Sequence, residues 1–176
     1  MKTLSGNKIV MIVAYRDFRD EEFDKPFAAL TEAGASVTVA SSQRGTAIGM
    51  LGKHVEVNRL IGDIAASSFD AVVFIGGAGA KEYFDDPLAH RIARDAVAMG
   101  KPLGAICIAP AILANAGVLK GKQAACFPSV TPILEKAGAL VQKKPVVRDG
   151  KLFTADGPQS AGSFAAALFE ALALRP

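Results

Sequence analysis

The chain has 176 residues, 51% of them hydrophobic and 21% charged, with 20 Lys and Arg against 17 Asp and Glu for a formal net charge of +3. This length suits one domain spanning 1–176, and so high an apolar content excludes a disordered chain. The small, scattered positive charge excludes the basic face that nucleic-acid binding needs, and no apolar run approaches the roughly 18 residues of a membrane span.

Met1 to Lys8 carries no apolar stretch of the kind an export signal needs, and the two Cys read as free thiols in a reducing cytoplasm. Ile9 to Tyr15 is a continuous apolar run, the pattern of a strand covered on both faces. After a polar loop, Phe23, Phe27 and Leu30 recur at helical spacing until Gly34, with Pro26 near the helix start. Val37–Ala40 and Ala71–Ile75 are the next predicted strands, the second running into Gly76-Gly77. Asp86-Pro87 reads as an N-cap followed by proline at the first helical position, with Leu88, Ile92 and Ala96 on one face. A short strand, Leu103–Ile106, leads into a helix from Ala109 to Ala116. Ala124–Phe127 reads as a brief strand and Ile133–Ala137 as a short helix. Val146–Thr154 is a hairpin turned at Asp149-Gly150, and Ser160–Leu174 a final helix with Phe164, Leu168 and Leu172 on one stripe. Alternation of this kind predicts an α/β fold, a mostly parallel sheet with helices on both faces. Its chemistry belongs in the loops at the carboxyl ends of the strands, after Tyr15, Ile75 and Ile106.

Three features of those loops matter. Cys107 sits where a strand turns into a helix, as in a nucleophile elbow; a helix N-terminus there is expected to lower the thiol pKa, although a buried, inert Cys has the same position. Asp20, Glu21 and Glu22 open the first helix. Acids there complement the helix dipole and are interchangeable on that account, unless one points inward toward Cys107. Gly76-Gly77-Ala78-Gly79 follows a strand but lacks the G-x-G-x-x-G spacing, since Glu82 stands at the sixth position, so amides that stabilise an anion are the better reading. His54 and His90, the only histidines, have no ligand partner at metal spacing; neither a metal nor a cofactor is expected. Lys143-Lys144 reads as a solvated loop.

Taken together, a Glu at the first strand–helix loop, Gly76-Gly77 after a central strand, Ala105-Ile106-Cys107 at the elbow, Gly117-Val118-Leu119-Lys120-Gly121-Lys122 and Asp156-Gly157-Pro158 resemble the ThiJ/PfpI superfamily over nearly the whole chain. The resemblance implies a flavodoxin-like three-layer sandwich and a homodimer or higher homo-oligomer. It implies Cys107 as the reactive nucleophile, Glu22 as the acid beside its sulfur, and the Gly77 and Ile108 amides as an oxyanion hole. Two departures stand out. Ile108 replaces the His that follows the nucleophile in protease-like members, and Phe127, preceded by Cys126, replaces a His that other members carry before a proline. Intracellular proteolysis is therefore not expected, because protonating an amine leaving group without an imidazole is slow. The expected function is glyoxalase- or hydrolase-type chemistry on small reactive carbonyls through a Glu22–Cys107 pair. The alternative is an oxidative-stress sensor or chaperone-like protein whose Cys107 is reversibly oxidised, so the partner is a small substrate or an oxidant. By position, Glu82 is the candidate for a catalytic acid supplied by a neighbouring subunit.

Overall fold

The computed structural model describes residues 2–174. In chain order the elements are β1 (Lys8–Ile12), β2 (Arg16–Phe18), α1 (Asp20–Glu32), β3 (Ser36–Ser41), β4 (Gly45–Gly49), β5 (His54–Val57), β6 (Arg59–Leu60), β7 (Ala71–Phe74), α2 (Pro87–Ala98), β8 (Leu103–Ile106), α3 (Pro110–Asn115), β9 (Gln123–Ala124), α4 (Thr131–Lys136), β10 (Leu140–Val141), β11 (Val146–Asp149), β12 (Leu152–Ala155) and α5 (Ala161–Ala173). The main sheet has seven strands in the order β11-β12-β8-β7-β1-β3-β6. Every neighbouring pair is parallel except the β11–β12 hairpin. Helices α1 and α5 pack together on one face, and α2 and α3 cover the other. This is the parallel sheet with helices on both faces that the alternation predicts, and the flavodoxin-like three-layer sandwich that the resemblance implies.

Ile9, Val10, Met11 and Ile12 are wholly buried, because β1 lies between β3 and β7 with helices above and below. The predicted strand reaches Tyr15, but regular pairing ends at Ile12. Beyond it the Val13 carbonyl accepts from the Ser41 and Tyr83 hydroxyls, both at 2.8 Å, so side chains replace the ladder there. Strand order reverses on either side of β1: the chain goes first to β3 and later returns to β7. Such a switch point opens a crevice at the carboxyl ends of β1 and β7.

On α2, Asp86 caps the helix by accepting from the Leu88 amide at 3.0 Å, with Pro87 at the first position. Leu88 itself is exposed, and the buried stripe is Ala89, Ile92, Ala93 and Ala96, which corrects the predicted face by one position. On α5 the stripe Phe164, Leu168 and Leu172 is buried as predicted.

A second sheet, β2-β4-β5, does not follow from the apolar runs. Its strands are short, and β4 begins and ends in glycine; only His54-Val55-Glu56-Val57, exposed and buried in alternation, carries a strand signal. The turn between β4 and β5 is tied to the first helical residue. The Asp20 carboxylate, 6% exposed, accepts from the Leu51 and Lys53 amides, both at 2.8 Å. Substituting Asp20 by Ala removes a buried charged acceptor from two donors and is expected to cost about 2–3 kcal/mol; urea unfolding midpoints at unchanged m-value measure it.

Candidate active site

Three loops converge at the carboxyl ends of β1, β7 and β8. The β8 loop bends sharply: Cys107 has φ +64°, a left-handed conformation that costs a residue with a Cβ and marks a strained elbow. The strain is held by hydrogen bonds on both sides, since the Cys107 amide donates to Ala155 O at 2.9 Å and its carbonyl accepts from the Phe127 amide at 2.8 Å. The helix that follows, α3, has only six residues and begins at Pro110, three positions after the thiol.

The β7 loop supplies Gly76 and Gly77. A Cβ on Gly76 would lie 2.5 Å from Glu22 Oε1 and 2.7 Å from the Cys107 Cβ, so only a glycine lets the acid and the thiol meet across this strand end. Gly77 adopts φ +105° and packs against the Asp17–Arg19 backbone. The Arg19 amide donates to Gly76 O at 2.9 Å, which clamps the two loops together.

The three acids of α1 are not interchangeable. Asp20 holds the β4–β5 turn. Glu21 forms a partly exposed ion pair with Arg19 at 2.8 Å, which holds its carboxyl below the usual range. Glu22 is completely buried and faces Cys107 and Gly76. Its spacing with Pro26 and Leu30, four residues at each step, places it on the buried side of the helix, a signal present in the sequence.

Burial pushes the Glu22 carboxyl up to about 8, against the lowering influence of the Cys107 thiol, Arg19 and the Gly76 amide. Neither Glu22 oxygen has a protein hydrogen-bond partner of regular geometry, although the thiol and the Gly76 amide lie close enough to act on it. Burial, and then the charge of an ionised Glu22, push the Cys107 thiol up to about 12; the Gly77 and Ile108 amides pull it down. The expected lowering by a helix N-terminus is therefore overturned. A six-residue helix has a weak end, and removing water from a thiol only 8% exposed outweighs it. At neutral pH the pair is uncharged. The Glu22 contribution to the raised thiol applies only once Glu22 has lost its proton, which happens near pH 8.

The structure thus brings together Glu22, Cys107, Gly77 and Ile108. It leaves out both histidines: His54 is exposed on β5, and His90 on α2 places Nε2 2.7 Å from Phe84 O. Glu82 is exposed. Cys126 is a free thiol beside the Thr131 hydroxyl at 3.6 Å, and Cys107 is likewise free. Among the described residues no group of three or more His, Cys, Asp or Glu is placed to hold a metal ion, and no helix is long and apolar enough to cross a membrane.

A sequence profile of the DJ-1/PfpI family matches residues 7–171. An uncharacterized protein of Methanocaldococcus jannaschii is 36% identical over 97% of this chain and 85% of its own length. A protein of Pyrococcus horikoshii named a deglycase is 34% identical over 80% of this chain and 85% of its own. Among solved structures, a ThiJ/PfpI domain protein from Brachyspira murdochii superposes with a TM-score of 0.94 at 30% identity, covering all of both chains.

The raised carboxyl has a consequence for stability. Between the unfolded value of 4.5 and about 8 the folded chain keeps a proton that the unfolded chain has lost. The stabilising effect of protonated Glu22 is full below pH 4.5 and is lost as pH rises through about 8, by up to ~1.4 kcal/mol per pH unit. Melting temperatures measured from pH 5 to pH 9 should fall more for the parent chain than for Glu22→Gln.

Proposed function

The chain belongs to the DJ-1/PfpI family, and from that premise we propose that it is a cysteine-dependent enzyme of glyoxalase or hydrolase type acting on small reactive carbonyls. The observation that carries this reading is the buried, proton-bearing Glu22 against the Cys107 thiol, with two backbone amides turned toward the sulfur. The deglycase name of one relative is consistent with carbonyl chemistry.

A neutral thiol is a poor nucleophile, so its proton must leave as the sulfur attacks. A neutral carboxylic acid has one oxygen that accepts and one that donates. Neither oxygen of Glu22 is committed to a regular hydrogen bond within the protein. The Sγ–C bond forms as the S–H proton passes to one Glu22 oxygen, while the proton on the other passes to the carbonyl oxygen, giving a hemithioacetal. With an α-oxoaldehyde, transfer of the proton from C1 to C2 through the same carboxyl yields a thioester. Water cleaves it to a 2-hydroxy acid and regenerates the thiol, with no net oxidation. The Gly77 and Ile108 amides stabilise charge that develops beside the sulfur. Amide hydrolysis must also protonate a poor amine leaving group, the task of the imidazole that this chain lacks, so proteolysis is set aside. On the same family resemblance we propose that the chain works in the cytoplasm as a homo-oligomer.

A second reading is favoured by the same retained proton. Peroxide can transfer oxygen to the Cys107 sulfur, giving a sulfenic acid and water, with Glu22 as donor to the new S–O group and the loop amides as further donors. Intact-protein mass after peroxide titration should then show oxygen added at Cys107 ahead of Cys126; equal labelling removes this reading.

For the enzymatic reading, methylglyoxal consumption should disappear in Cys107→Ala and fall roughly 10²- to 10⁴-fold in Glu22→Gln, which cannot relay the proton. Turnover that survives Cys107→Ala refutes it.

A further inference from the structure

A cavity lined by residues next to those that bond the elbow backbone lies outside the Glu22–Cys107 pair. It encloses about 530 Å³ between the segments that follow β9, β10 and β12, and its walls include Phe127, Gln142, Lys143, Lys144, Asp156 and Gln159. Two backbone contacts tie its walls to the Cys107 backbone. Phe127, whose amide donates to Cys107 O, forms one wall; Asp156, which follows the Ala155 whose carbonyl accepts from the Cys107 amide, forms another. The elbow is thus held between two walls of this cavity.

Its charge is uneven. Lys143 and Lys144 are exposed, and neither forms an ion pair among the described residues. The one acid in the lining, Asp156, already accepts from the Ser160 hydroxyl at 2.5 Å. Two unpaired ammonium groups face one occupied carboxylate, and the amides of Gln142 and Gln159 add further donors. Phe127, 40% exposed, adds an apolar surface to the wall. A cavity so furnished is built for a molecule with an uncharged body and an anionic end.

We propose that this cavity is the substrate-recognition subsite, and that Lys143 and Lys144 select carbonyl compounds bearing a carboxylate on the part remote from the reacting carbon. The carbonyl as reacting group rests on the function proposed above; the preference for an anionic tail rests on the cavity alone. The lysines are specificity residues here, not groups that act on the reacting atoms.

The test separates the two. In the full chain carrying Cys126→Ser, so that Cys107 is the only thiol, labelling rates are compared for N-ethylmaleimide and for maleimidopropionate, which places a carboxylate at the end of a similar chain. Lys143→Ala with Lys144→Ala should lower the maleimidopropionate rate about three- to tenfold while leaving the N-ethylmaleimide rate unchanged, and high salt should narrow the ratio in the parent. A ratio that the double substitution does not move overturns the proposal, as does a Cys107 that takes up neither probe. A chain that shows the ratio change yet consumes neither methylglyoxal nor a 2-oxoaldehyde with a remote carboxylate supports the subsite and refutes the carbonyl reaction.

Discussion

The contact around which the candidate site is built is a carboxyl with no exposed surface set against a nearly buried thiol. Burial penalises charge on either group, and an ionised Glu22 penalises charge on the Cys107 sulfur, so the pair is most stable with both protons in place. Much of the surrounding architecture makes this contact feasible. Gly76 has no side chain to hold the two apart, Cys107 accepts a left-handed backbone to aim its sulfur inward, and Asp20 fixes the start of the helix that carries Glu22. A buried acid without a regular hydrogen bond is costly, and folded proteins tolerate such groups chiefly where function requires them.

The fold was largely legible in the sequence because its strongest determinants are local. Ile9 to Ile12 and Ala71 to Phe74 are unbroken apolar runs, which only strands covered on both faces need, and Asp86-Pro87 and Asp149-Gly150 mark a cap and a turn through their own backbone chemistry. The small sheet was not legible. The β4 strand owes its place to Asp20 and to the β2 backbone rather than to its own residues.

The site divides along the same line. The elbow and the glycines are readable as positions, and the family resemblance singles out Glu22 among three adjacent acids. What separates those acids physically is the angle each takes on the helix: Glu21 reaches solvent and Arg19, Asp20 reaches the hairpin turn, and Glu22 shares the buried side with Pro26 and Leu30. The protonation of Cys107 was not readable. A thiol beside a helix start suggests a lowered pKa, and the opposite outcome comes from long-range packing that strips away water and sets an acid beside it.

That outcome changes what the site can do. A thiolate held by an imidazolium is ready to attack and equally ready to be oxidised; a neutral thiol beside a neutral acid reacts only with a partner that can take a proton as it is attacked. A carbonyl oxygen is such a partner, because it becomes basic as the S–C bond forms, and a peroxide oxygen is another. An alkyl halide offers no comparable acceptor, so its reaction depends on the small thiolate fraction and should quicken with pH. The loss of both family histidines therefore need not mean a silenced site. In the proposed cycle the pair favours electrophiles that carry their own proton acceptor and leaves recognition of the rest of the molecule to residues outside it.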